Sequence, residues 1–197
     1  MSQIDKEIRN VMLVSPNTIK AATYLVSNVD DGMIGAAIRE TQEVHLQSII
    51  GSELLYRIQE LVYNAITGNT DTIDDEINAC YKECLDNYIT PYMEQKVQAV
   101  LVLMVAYKTR NLGVIHASDT NLNAPSMDDV LAVQQRYNGV AARYATALSK
   151  YLCQNKPCFP ELVSEGCNCT PYVAPQIGKT FVHTGLWLGG KGNICCD

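Results

Sequence analysis

Four cysteines, Cys153, Cys158, Cys167 and Cys169, have the residue type and spacing closest to a chemical site, reading C-x4-C, eight residues, then C-x-C. Four thiolates in a loop-rich stretch too small for its own core suit tetrahedral zinc, because the metal would supply folding energy that packing cannot. The spacing departs from ordinary ribbons and fingers, so the simpler expectation is reduced thiols with no resident metal or other cofactor. Cys195 and Cys196 are adjacent and make poor partners for a closed site. Cys80 and Cys84 lie one helical turn apart on an apolar face, where a thiol behaves as a small buried hydrophobe.

The remaining chemical candidates have plainer explanations. Asp30-Asp31, Asp74-Asp75 and Asp128-Asp129 each fall at the start of an expected helix, where capping and the helix dipole account for paired carboxylates without a metal. His45 sits in an apolar helical stripe and reads as a hydrogen-bonded core histidine, while His116 belongs to a loop and His183 to the C-terminal region. No Ser or Cys stands beside a histidine in a nucleophile motif, and Gly189-Gly190-Lys191-Gly192 lacks the spacing and following helix of a phosphate-binding loop. Arg136, Arg143 and Lys150 recur every seven residues, a solvated basic face or a surface for an acidic neighbour or passing DNA. No active site assembles, so a non-enzymatic role is expected.

The elements that must position these residues are helical. The chain has 197 residues, 47% apolar and 18% charged, enough for one folded core plus an appendage. Its net charge of −6 argues against a dedicated nucleic-acid binder, which needs a basic face to release phosphate counterions. Met1 to Asn10 is polar, so the expectation is a chain that stays in the cytosol where it is made. The longest apolar run, Val97 to Tyr107, is about half of the ~20 residues that span a bilayer, so no membrane partner is expected.

Along the chain, residues 1–29 read as an N-terminal arm lying across a bundle. Asp30 and Asp31 open a helix whose face is Ile34, Ala37, Ile38, Thr41, His45 and Ile49; Gly51 ends it and Ser52 is placed to cap the next. The second face is Leu54, Leu55, Ile58, Leu61, Val62 and Ala65. A third helix is expected from about Thr72, with Ile73, Ile77, Cys80, Tyr81, Cys84, Leu85 and Tyr88 inward. Thr90-Pro91 is read as its end and as the start of a central fourth helix reaching about Leu112, closed by Gly113. After a loop from Val114 to Pro125, Ser126 and Asp129 resemble a capping box for a fifth helix with Val130, Val133, Tyr137, Ala141, Tyr144, Leu148, Tyr151 and Leu152 on one stripe. The expectation is therefore an all-α protein: an arm (1–29), a bundle of about five helices (30–152) and a Cys-, Gly- and Pro-rich arm (153–197). That arm holds six of the eight cysteines, and Thr180 to Leu188 has the composition of a short β-hairpin. Phe181, Leu186, Trp187 and Leu188 there read as docking anchors, as aromatic side chains dominate protein interfaces.

The Asp-rich turn, Thr41-Gln42, Leu46, Ile50-Gly51 and Leu55-Tyr56 resemble the opening helices of head-to-tail connector (adaptor ring) proteins of tailed bacteriophages, above all those of crAss-like phages. The likeness runs from about Thr23 to Leu152 and fades beyond it; the cysteine-rich arm is outside the pattern. It implies a structural virion protein of the phage neck: a ring, dodecameric to match the portal, made in the host bacterial cytoplasm. Such a ring seals the filled head, joins portal to tail or a second neck ring, and passes DNA through its lumen. The residues read as its subunit contacts are His116, Asn121, Arg136, Arg143 and Lys150 with the four anchors, the anchors lying outside the resemblance. The rival expectation is a cytosolic helical adaptor or regulatory module with a zinc-bound tail.

Overall fold

The computed structural model describes residues 2–22, 29–110, 113–116 and 126–164, and these are mostly helical. Asp30 begins the bundle as expected: its carboxylate accepts a hydrogen bond from Gly32 N at 3.1 Å and caps α3 (Asp31–Glu40). Asp31 pairs with Lys20 of α2 (Pro16–Ala22) at 2.5 Å. A π turn over Thr41–Leu46 then joins α3 to α4 (Gln47–Ile50) without a break. Its i→i+5 bonding, seen in the Gln47 N–H donating to the Gln42 carbonyl, takes an extra residue per turn. The buried stripe therefore steps forward by one, to Leu46 and Ile50, and His45 and Ile49 are only half-buried.

Gly51 separates α4 from α5 (Ser52–Thr67) with φ 83 and ψ 163, a backbone region essentially closed to other residues. It is also the N-cap of α5, so Ser52 is the first helical residue and not the cap. Leu54, Leu55, Ile58 and Leu61 are buried as expected, whereas Ala65 is exposed in the last turn.

The third and fourth expected helices are one rod. It begins at Ala79, not Thr72: α6 (Ala79–Cys84) continues through a second π turn, Leu85–Ile89, into α7 (Thr90–Ala106). Proline within a helix lacks an N–H and its ring presses on the carbonyl four residues back, here that of Asn87. The wider π turn lies directly before Pro91, so the chain carries the proline through instead of stopping at it. Tyr92, Met93, Val97, Ala99 and Leu101 are buried, and α7 packs on α8 (Met127–Gln154), α3 and α2. It ends at Ala106, short of Leu112. Tyr107–Arg110 (β1) and Gly113–His116 (β2) pair antiparallel, Lys108 opposite Ile115, so Gly113 lies in a strand and does not close a helix. β-branched Thr109, Val114 and Ile115 favour that ribbon over a helix.

The capping box of α8 is present: Asp129 N donates to Ser126 Oγ at 3.2 Å and Ser126 N to Asp129 Oδ2 at 3.2 Å. Val130, Ala141, Ala145, Leu148, Tyr151 and Leu152 are buried. Burial does not stop where the expected arm begins. Phe159, beyond the short 3-10 turn Lys156–Cys158, is fully buried with its ring 5.2 Å from Tyr81 and 6.1 Å from Tyr151. Tyr81 Oη donates to the Glu161 carboxylate of α9 (Glu161–Ser164), with both oxygens at 3.0 Å. Phe159 and Leu162 of that segment thus belong to the core, with Cys158 packed against it.

α1 (Gln3–Arg9) rests on α5, where Tyr56 donates to Asp5 at 3.2 Å and Tyr63 to Glu7 at 2.9 Å. Two buried glutamines hold the irregular segment that follows. Gln42 accepts from Leu13 N at 3.0 Å and donates to the Val11 carbonyl at 2.9 Å, while Gln59 donates to the Arg9 carbonyl at 3.0 Å.

Candidate functional site

Polar groups converge in a cleft of about 220 Å³ between α3 with its π turn, α7 and α8, lined by Glu40, His45, Lys96, Leu103, Gln134 and Asn138 among others. Lys96 is half-buried and donates to Asn138 Oδ1 at 2.8 Å. Burial holds its ammonium below the usual lysine range, against the opposing pull of Glu40. His45 is likewise held below the ordinary histidine value, first by burial and then by the charge of Lys96. The imidazole is therefore neutral at pH 7 and lines the cleft; it is not the hydrogen-bonded core histidine expected. Ligand pockets usually occupy ~300–1,000 Å³, so this cleft fits a side chain or small anion better than a cofactor. Lys96, Glu40, Gln134 and Asn138 escaped the sequence reading because they lie on three separate rods.

The described cysteines occupy separate settings. Cys80 of α6 lies against Cys158, and this contact, with burial, pushes the Cys80 thiol up to about 11. Burial pushes Cys84 up to about 12, so it is the core residue anticipated. Cys153 is half-buried on α8, Cys167 and Cys169 lie outside the described residues, and among the described residues no group of three or more potential ligands could hold a metal.

The surface carries the more distinctive features. Ile77, expected inside, is 87% exposed at the tip of the turn between α5 and α6. That turn is firmly built. Asp71 adopts φ 61, an uncommon conformation for a residue with a side chain, and receives Arg57 at 2.8 Å and Asn78 at 2.8 Å. Asn78 is buried and also donates to the Thr72 carbonyl at 2.8 Å, while Thr72 N donates to Asp75 at 2.5 Å. Asn78 and Arg57 together hold the Asp71 carboxyl below its usual range. Asp75 therefore shapes the turn and Asp74 pairs with Lys82, so the second acid pair serves a 3-10 turn, Glu76–Asn78, and not the first turn of a long helix.

On α8 the expected single stripe splits in two. Val133 (45% exposed) and Tyr144 (37%) face outward, with half-buried Tyr137 and Val140 between them. Arg136, Arg143 and Lys150 are exposed beside this second stripe, as a solvated basic face should be. Of the other expected interface residues, His116 is placed by its backbone in β2, opposite Tyr107. Asn121, Phe181, Leu186, Trp187 and Leu188, with the proposed hairpin over 180–188, lie outside the described residues. Among the described residues no helix is long and apolar enough to cross a membrane.

No curated protein and no solved structure matches the chain. Residues 46–172 match the profile of DUF6712, and the chain therefore belongs to that family of unknown function.

Proposed function

We propose that this protein is a structural subunit of a phage neck, forming a ring between portal and tail that seals the head and gives DNA a conduit. The observation that carries the reading is the outer face of α8, a helix whose inner stripe is buried in the core while Val133 and Tyr144 stand in water beside Arg136 and Arg143. An apolar stripe on the outside of a helix whose other face is already buried is a surface that a neighbouring subunit would cover. The resemblance of residues 30–61 to connector helices supplies the place of the ring, and net acidity suits a channel that must not hold phosphates. In this reading the ring is dodecameric, the portal and a tail or second neck protein are its partners, and the 165–197 segment adds anchors through Trp187.

Native mass spectrometry of freshly purified protein under reducing conditions tests this. A ring-sized, metal-free assembly is the expected result. A monomer with one zinc per chain would instead favour the adaptor with a metal-bound tail. Trp187→Ala should weaken assembly more than it lowers the melting temperature of the isolated chain; equal losses would make the arm part of the fold.

A further inference from the structure

We infer that the Ile77 turn of one copy docks on the second stripe of α8 in another copy, an inference that rests on the ring reading and names its subunit contact. The two surfaces match in chemistry. Ile77 stands 87% exposed on a turn held by Arg57, Asp71 and Asn78, so it is presented rigidly and little is left to order on binding. Around it Asp74, Asp75 and Glu76 are exposed, and the two cations of the turn are already engaged, Lys82 by Asp74 and Arg57 by Asp71 and Glu60, which leaves its outer face acidic.

The receiving face has the opposite sign. Val133, Tyr137, Val140, Tyr144 and Ala147 follow at intervals of four and three, the spacing by which one helix accepts a side chain from a neighbour. Arg136, Arg143 and Lys150 run along its edge with no ion pair among the described residues. Charge decides between the candidate occupants. The chain's own residues 165–197 carry Glu165 and Asp197 against Lys179 and Lys191, a neutral segment that answers a basic rim poorly. The acidic Ile77 turn of a second copy answers both the rim and the apolar stripe. Because the two surfaces differ, the contact is head-to-tail and closes into a ring or runs on as a filament.

Charge reversal on the full chain tests the contact. Asp74→Lys with Glu76→Lys reverses one face and spares Asp75, which shapes the turn; Arg136→Glu with Arg143→Glu reverses the other. Each variant alone should lose self-association at least ~10-fold by sedimentation velocity, and an equimolar mixture should recover it, since unlike faces then meet in both directions. Ile77→Ser should weaken association with an unchanged melting curve. Wild-type association by either reversed variant alone, or no recovery on mixing, overturns the contact and leaves a ring built through other surfaces. A wild-type chain still monomeric at ~1 mM also overturns it, leaving only assembly templated by the portal. Protection of the α8 outer face from hydrogen exchange in monomeric Ile77→Ser protein would assign that face to residues 165–197 instead. Confirmation of the contact in a protein absent from phage necks would sink the ring's location and not the contact.

Discussion

The two π turns, Thr41–Leu46 and Leu85–Ile89, are the same device with different causes. The second stands directly before Pro91, and its cause is local: a missing N–H and a crowded carbonyl. The first contains no proline or glycine. Nothing local demands it, and its side chains are held by tertiary contacts, Gln42 on the Val11–Leu13 segment and His45 beside Lys96. A π turn imposed by sequence repairs a helix, while one imposed by packing aims side chains. The first is the costlier to disturb.

The largest effect should come from Gln42→Ala. It leaves the Leu13 N–H without its partner and removes one of two donors to the Val11 carbonyl, which Gln59 still reaches at 3.2 Å, so at ~1–3 kcal/mol for a stranded group the loss should be about 1–3 kcal/mol in urea unfolding. A loss below about 1 kcal/mol would show that water replaces the glutamine and that the turn aims nothing of consequence. Pro91→Ala addresses the other turn. Relief of a proline in an unadjusted helix interior is worth ~3 kcal/mol, but the π turn already absorbs most of the clash, so stabilisation of about 1 kcal/mol is expected. A gain near the full value would mean that the turn relieves little.

Thr41 sharpens the contrast within the first turn. Its Oγ1 is buried and, among the described residues, is the one buried side-chain polar atom without a partner. Thr41→Val removes a stranded hydroxyl and should raise the urea midpoint, by roughly 0.5–1 kcal/mol in free energy. A fall would reveal a partner for that hydroxyl. The smallest effect concerns pH. The folded protein holds His45 below its unfolded value of ~6.5, so the unfolded chain binds the proton more readily. Stability should be full above that value and decline as pH falls through the lowered folded value. His45→Gln should remove that part of the acid-side slope, and an unchanged slope would assign it to other groups.

Some of this was legible from single residues. Asp30, Ser126 with Asp129, and Gly51 marked their boundaries because capping and backbone conformation act over a few residues. Leu54, Leu55, Ile58 and Leu61 were placed by periodicity alone. Reading failed where one signal served two outcomes. Pro91 fits the first turn of a helix as well as a π-adjusted interior, and Ile77 fits an apolar stripe until the turn before it displaces the helix start to Ala79. Val133 and Tyr144 share the period of the core stripe yet face water, because a long helix can carry two stripes and only its neighbours select the buried one.

The sequence by itself determined the helical class and the caps at Asp30 and Ser126. These follow from intervals of three and four residues and from the dihedral preferences of single side chains. Tertiary structure alone decided the π turn at Thr41, the glutamine clasps, the cleft around Lys96, the Cys80–Cys158 contact and the burial of Phe159. Each joins residues from separate rods, and their stability depends on which groups would otherwise be stranded from water, a quantity that no local spacing encodes.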